Sequence, residues 1–301
     1  MSVVIGITST VCLLVNMTFW SSLLFVVGIA RIIIPIEPWR KICTTYTVFI
    51  GESCIALNYL WIKLLHRPVF EVQGLKNVDK STWFVGTSNH QSWADILILQ
   101  AVTNRKIPLI RFFMKDILKW IPIVWVVGWS LDMPFLKRYS EEKIKKNPSL
   151  RGKDIEKMKK AFKRLSVNPG TVFSFSEGTR FTEKKQKDQN SPYKSLLIPK
   201  AGGIGITLST MPYISYLLDF TILYKSNSRG FWDFLCGKMS EVDIKVRKID
   251  IPDSFLGKDY SNQPEFRQEL KDWLNILKDF LGIWASARLL GLQASWPGPN
   301  P

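Results

Sequence analysis

Thirty residues pass before the first charged side chain of this chain, Arg31. A polypeptide that begins in this way must remove a long apolar segment from water, and about 20 such residues suffice to cross a bilayer as a helix. A second apolar run, 42–62, carries a single charge, Glu52. No Lys or Arg precedes the first run, and the run is longer than the core of a secretory leader, so it reads as a retained anchor. Arg31, Arg40 and Lys41 follow the first run, and Lys63 and Arg67 follow the second. Positive flanks of this kind belong on the cytoplasmic side. A hairpin that crosses twice would strand one set on the far side, whereas two helices buried in one leaflet keep both sets cytoplasmic. The shallow pair is therefore the expectation.

The formal net charge of +16 asks for anionic partners. Half of the excess lies between Lys137 and Arg164, where twelve Lys/Arg face four Asp/Glu. Beside a membrane anchor, anionic headgroups are the natural counterpart, at about 1 kcal/mol for each basic residue near the surface. Nucleic acid is disfavoured, because zinc-ligand spacing and an aromatic RNP-like pattern are both missing. The four cysteines, Cys12, Cys43, Cys54 and Cys236, show no paired spacing and read as small apolar residues of a reducing compartment.

Beyond the anchor, strands and helices alternate. Strands are expected at 69–74, 83–88, 107–112, 171–176, 218–224 and 242–249, and helices at 93–102, 114–120, 154–167 and 265–280. A polar loop is expected at 183–194. The segment 121–129 is apolar throughout, and periodicity does not decide its class. This order argues an α/β fold, a mixed sheet flanked by helices and preceded by a two-helix membrane anchor. The domains divide as 1–65 for the anchor, 66–285 for the α/β domain and 286–301 for a Pro-rich tail.

Only two histidines occur, and one stands in Thr87-Ser88-Asn89-His90-Gln91-Ser92-Trp93-Ala94-Asp95. His90 falls between a strand and a helix, on the rim where α/β sheets bind ligands. Ser92-Trp93-Ala94-Asp95 has the S-x-x-D form of a capping box, with Ser92 as N-cap and the Asp95 carboxylate reaching back toward the preceding turn. Two readings share that geometry. Asp95 caps a helix beside an ordinary loop histidine, or it orients an imidazole that is left with one nitrogen free to take a proton. Backbone N–H groups near Ser92 are candidate donors to an oxyanion. The other histidine, His66, is assigned to the membrane interface.

A second constellation, Phe175-Ser176-Glu177-Gly178-Thr179-Arg180, follows a strong strand. Gly178 permits a tight turn, Arg180 offers a planar fork for phosphate or carboxylate, and Glu177 is suited to hold that guanidinium or a substrate hydroxyl. Alone, the Glu/Arg pair is equally a surface ion pair.

Together the two stretches resemble the glycerolipid acyltransferases, whose His-x4-Asp motif matches His90 and Asp95, and whose second signature, an aromatic residue before Ser-Glu-Gly-Thr-Arg, matches Phe175 to Arg180. The kind resembled is the bacterial 1-acylglycerol-3-phosphate acyltransferases and their lysophospholipid-acylating relatives. The likeness covers about 65–225. It implies that His90 and Asp95 are catalytic, that Glu177, Gly178, Thr179, Arg180, Lys137 and Arg138 bind the acceptor phosphate, and that Pro199 and Lys200 contact the acyl donor or acceptor. The segment Leu197-Ile198-Pro199-Lys200 departs from the family pattern, in which a valine-rich strand often follows; here Ala201-Gly202-Gly203 follows.

The resemblance further implies direct transfer of an acyl group from acyl-CoA or acyl carrier protein to a lysophospholipid, with no metal and no cofactor beyond the thioester co-substrate. That agrees with the absence of a G-x-S-x-G elbow. It implies membrane phospholipid and lysophospholipid as partners, and a place on the cytoplasmic face of the cell inner membrane. The expected product is phosphatidate. Alternatives are another lysophospholipid acceptor such as lysophosphatidylglycerol, an acyl hydrolase that activates water, and a lipid-binding protein without activity.

Overall fold

The computed structural model describes residues 1–75, 78–137, 168–193 and 196–289, with Lys146, Asn147 and Glu156 between them. The expected helix at 154–167, most of the basic segment, Arg138 and the tail from 290 lie outside the described residues.

Both apolar runs form helices, α1 (Ser2–Ile33) and α2 (Glu37–His66). Pro38 sits in the first turn of α2, where a missing N–H costs nothing. The two pack against each other through buried polar side chains. Asn16 Nδ2 donates to the Cys54 carbonyl at 2.9 Å and to Asn58 Oδ1 at 2.8 Å, and Trp61 Nε1 reaches the same Asn58 oxygen at 3.0 Å. Away from that seam the surface is apolar, with Val4, Ile7, Val15, Val26, Phe49 and Leu64 each more than half exposed. By length and composition both helices could cross a membrane.

The remainder builds a six-stranded sheet in the order β1-β8-β7-β2-β6-β3. Its strands are β1 (Val69–Gln73), β2 (Phe84–Ser88), β3 (Ile110–Phe112), β6 (Thr171–Phe175), β7 (Tyr216–Tyr224) and β8 (Glu241–Asp250). Every neighbouring pair is parallel except β7 with β8. Two short strands, β4 (Met114–Lys115) and β5 (Phe135–Leu136), pair separately. Central strands are buried on both faces, as β2 and β6 show by their near-continuous burial. One face, with Phe84, Phe173, Phe220 and Ile222, is covered by α3 (Ala94–Thr103) and by Trp61 and Ile62 of α2. The other, with Val85, Val172 and Leu217, is covered by α6 (Gly202–Thr210) and α8 (Pro264–Leu289).

The structure decides one segment that the sequence reading left open and departs from it in others. Residues 121–129 are helical, as α4 (Pro122–Ser130) with Pro at its start. Of the helix expected at 114–120, only a 3-10 turn (Asp116–Trp120) forms, because β4 takes Met114 and Lys115 into a pairing with β5. The loop after Thr182 opens with a short helix, α5 (Glu183–Asp188), whose N-cap Thr182 accepts from Lys185 N. Helices α6 and α7 (Phe231–Leu235) were not foreseen, since Gly-rich 202–210 has little helical propensity and 231–235 is a single turn.

The helix pair is seated on the α/β domain at both of its ends. Near the start of α1, a Cβ at Gly6 would lie 2.7 Å from Cys236 Sγ. His66, expected at the membrane interface, is buried there instead, with Nε2 2.9 Å from Ser9 Oγ and 3.1 Å from the Leu235 carbonyl. At the other end Gly28 lies so close to Trp129 that a Cβ would stand 2.5 Å from its ring. Ser130 Oγ donates to the Leu24 carbonyl, and Arg31 forks onto Asp132 at 2.8 and 3.2 Å. Both members of that pair are largely buried, so removing Arg31 leaves Asp132 with only the charge of buried Arg111. Arg31→Met is expected to lower unfolding stability by about 3–5 kcal/mol, read as the denaturation midpoint in detergent; a loss within experimental error would show that Asp132 needs no partner.

Candidate active site

The last residues of β2 and β6 are paired, Ser88 opposite Phe175. Both candidate motifs therefore leave the sheet side by side, although 80 positions separate Asp95 from Phe175. What ends β2 is Asn89, whose amide takes over the ladder: Nδ2 donates to the Ile222 carbonyl and Oδ1 accepts from Ile222 N, each at 2.8 Å. The side chain satisfies β7 while the backbone turns away and carries His90 to the rim.

Four donors converge on Asp95, which is fully buried. Oδ2 accepts from His90 Nδ1 at 2.8 Å, Gln91 N at 2.7 Å and Ser92 N at 3.0 Å, and Oδ1 accepts from the Tyr224 hydroxyl. A carboxylate in this setting acts purely as acceptor, so the proton of the imidazole sits on Nδ1 and the lone pair is left on Nε2. Burial, together with the neighbouring Asp95 charge, holds the Tyr224 phenol well above its usual range, so it stays a donor. The reach of Asp95 back to Ser92 N is the one expected from sequence, but the cap is displaced by one residue: α3 has Trp93 at its N-cap and begins at Ala94. Ser92 Oγ accepts from Ala94 N at 3.2 Å. The N–H groups of Gln91, Ser92 and Ala94 are thus all taken. They are engaged by the carboxylate and hydroxyl of the same turn, so the expectation of an oxyanion donor near Ser92 rests on the remaining N–H of that turn, Trp93.

The second motif grips His90 from the other side. Phe175 stacks on the imidazole, with centroids 3.9 Å apart and planes at 15°. Phe181 N donates to the His90 carbonyl at 2.7 Å, and His90 N donates to Glu177 Oε1 at 3.4 Å. The side chain retains 12% exposure. Gly178 adopts φ +69°, and its N–H closes the turn on the Phe175 carbonyl at 2.9 Å. A left-handed residue at this point is what glycine allows without strain.

Glu177 lies elsewhere than the sequence reading placed it. It is fully buried and turned inward, away from Arg180, and its second oxygen accepts from Leu197 N at 3.2 Å. Burial pushes its carboxyl up to about 7, against the pull of Lys278 and the two N–H donors, with Asp95 adding to the rise. Arg180 is exposed, its guanidinium 5.0 Å from the Trp93 ring. Thr179 Oγ1 accepts from Lys185 Nζ at 2.8 Å. Lys137 is exposed just past β5, Pro199 is buried, and Lys200 directs its N–H to the Ser176 carbonyl at 2.6 Å. Among the described residues no cluster of metal-ligating side chains forms. Sequence reasoning passed over Asn89, Tyr224 and Lys278. Asn89 adjoins the motif, but Tyr224 and Lys278 are reached only through the sheet order and the packing of α8, which no local pattern encodes.

A family model described as Acyltransferase matches residues 69–220. Among solved structures, the chain is similar to the crystal structure of the 1-acyl-sn-glycerophosphate (LPA) acyltransferase PlsC from Thermotoga maritima, at 18% identity over 99% of this chain and 100% of that one, with a TM-score of 0.51. At that identity the likeness is one of fold. Comparison with curated proteins finds no match.

The state of Glu177 has a measurable signature. A carboxyl raised from 4.5 to about 7 on folding contributes stability that is fully present below pH 4.5 and is lost as the pH rises through 7. The loss is on the order of 3 kcal/mol. The thermal midpoint of the wild type is expected to fall relative to that of Glu177→Gln between these pH values; parallel curves for the two proteins would mean the carboxyl is not raised.

Proposed function

Because the chain belongs to the acyltransferase family, we propose that it moves a fatty acyl group from an acyl thioester, acyl-CoA or acyl carrier protein, to the free hydroxyl of a lysophospholipid. The acceptor we propose is 1-acylglycerol-3-phosphate, giving phosphatidate. One observation carries this reading. The His90 ring is fixed by Asp95 on Nδ1 and by Phe175 on its face, which leaves Nε2 to neither, on a side chain that keeps 12% exposure.

In the proposed reaction the acceptor hydroxyl donates to His90 Nε2. As the oxygen attacks the thioester carbonyl, its proton passes to Nε2, and Asp95 stabilises the resulting imidazolium. Collapse of the tetrahedral intermediate breaks the C–S bond, and the departing sulfur takes the proton from Nε2. An ester and a free thiol result, and the protein returns to its starting state. No acyl-enzyme is required. Four donors on Asp95 mean that little reorganisation is needed when the imidazole becomes charged, which is the condition for electrostatic preorganisation.

Arg180, exposed beside Trp93 and next to the His90 loop, is assigned the acceptor phosphate. A guanidinium suits a phosphate monoester because it presents two parallel donors. Lys137 and Arg138 are assigned a supporting role in the same field.

The helix pair is assigned to one leaflet of a membrane, with the site on the cytoplasmic face. A 32-residue helix that contacts the α/β domain near both ends supports a shallow seat, because a spanning helix would drag one of those contacts through the hydrocarbon. The exposed apolar faces of α1 and α2 supply the buried area. Holding the site at the headgroup layer brings it to an acceptor that resides in the bilayer.

The test is incubation of purified protein with a labelled acyl thioester and a panel of lysophospholipids, identifying the acylated product. Phosphatidate is the expected product; acylation of lysophosphatidylglycerol alone would reassign the acceptor, and release of free fatty acid alone would indicate hydrolysis. His90→Ala is expected to reduce transfer by about 10²-fold to 10⁴-fold while leaving vesicle binding intact, and turnover near that of the wild type would refute the base assignment. Arg180→Ala is expected to raise acceptor KM with kcat little changed; a loss confined to kcat would exclude binding of the ground-state phosphate.

A further inference from the structure

Three buried side chains set the inner stripe of α8: Phe266, Leu270 and Leu274, spaced four residues apart. The next position in the series is Lys278, only 3% exposed. Packing alone calls for another apolar residue there, since withdrawing an ammonium from water costs several kcal/mol unless a partner compensates. The helix is held tightly at this level. The Asn275 carbonyl accepts from the Tyr193 hydroxyl at 3.3 Å and the Leu277 carbonyl from Arg247 Nη2 at 2.9 Å, so the lysine is placed inward by fixed backbone.

Its ammonium has no hydrogen-bond partner among the described residues and points at one charge: Nζ lies 3.9 Å from Glu177 Oε1. That oxygen is also the acceptor of the His90 N–H. The titratable groups facing Glu177 are Asp95 from the start of α3 and Lys278 from α8; His90 and Leu197 offer their backbone N–H groups. Asp95 opposes ionisation of Glu177, so among side-chain charges Lys278 supports it.

We propose that Lys278 is a positioning residue: it favours the ionised form of Glu177, and that carboxylate in turn holds the His90 loop and the Leu197 loop together. This deepens the acyl-transfer reading and rests on it. A protonated Glu177 would be a weaker acceptor and would carry a donor of its own, loosening the backbone on which His90 stands. Through this contact the C-terminal helix becomes part of the reaction centre without touching substrate.

The test compares the wild type, Lys278→Met, Lys278→Arg, Glu177→Gln and the double variant Lys278→Met/Glu177→Gln in one detergent. Infrared difference spectra against pH give the midpoint of the buried carboxyl, with Glu177→Gln assigning the band. In Lys278→Met that midpoint is expected to rise by about one pH unit or more. The acid limb of kcat/KM moves with it, acceptor KM stays within about twofold, and Lys278→Arg restores the limb. A carboxyl midpoint unmoved in Lys278→Met, or an activity loss equal at every pH, would overturn the proposal. If Lys278→Met does not fold, the double variant decides. Recovery of folding identifies the uncompensated Glu177 charge as the cause and supports the proposal, whereas an equally unfolded double variant overturns it. The infrared shift needs no turnover, so a protein that shows the shift yet acylates no acceptor would refute the transfer reading alone.

Discussion

Parallel strands cannot be joined by a tight turn, so β2 and β6 reach their pairing only after a long excursion of the chain through α3, β3 and α4. That pairing is the constraint from which the chemistry follows. With Ser88 opposite Phe175, both strands end at the same level of the sheet, and the loops that leave them have no room to ignore each other. His90 is consequently held by groups of both motifs. Its Nδ1 belongs to Asp95, its face to Phe175, its carbonyl to Phe181 and its N–H to Glu177. An imidazole fixed in this way loses its rotational freedom during folding and loses none later, when a proton has to move.

The anchor obeys a similar economy. Two helices with apolar outer surfaces need a solvent of matching polarity, yet their inner faces carry Ser9, Asn16, Thr44, Thr47 and Asn58, all buried. Asn16 with Asn58, and Ser9 with His66, fix how the helices meet, while Thr44 and Thr47 return their hydroxyls to carbonyls of their own helix. The orientation of the pair is set at its ends, by His66 with Ser9 at one and by Arg31 with Asp132 at the other. Apolar packing would tolerate sliding along the helix axes; these directional contacts do not.

Much of this was legible before any coordinates. The two apolar runs, the alternation of strand and helix and the backward reach of Asp95 follow from local pattern, because each depends on neighbours within a few residues, and the joining of the two motifs came from the family resemblance. What stayed hidden depends on which strand lies beside which. Tyr224 closes over Asp95 only because β7 is the neighbour of β2. Glu177 was read as a partner of Arg180, three positions on, or of a substrate hydroxyl. Its burial follows from α8 covering that face of the sheet, and no property of the tetrapeptide announces it. The Gly-rich helix α6 was missed for a related reason, namely that tertiary burial of Ile204 and Leu208 overrides a poor local propensity.

Burying Glu177 is costly, and the cost explains the arrangement around it. A carboxyl in this position has two ways to lower its energy: take up a proton, or draw donors and a cation toward itself. Two backbone N–H groups and one ammonium are present, and the carboxyl still sits at about 7, so the compensation is incomplete. A neutral glutamine of the same shape could accept from one of the two N–H groups, but its amide would oppose the other. Only a carboxylate can serve the His90 and Leu197 loops at once, one oxygen to each. The residue that makes folding less favourable is thus the one that joins the two halves of the site. That pattern is expected where the geometry of a reacting group matters more than the stability of its surroundings.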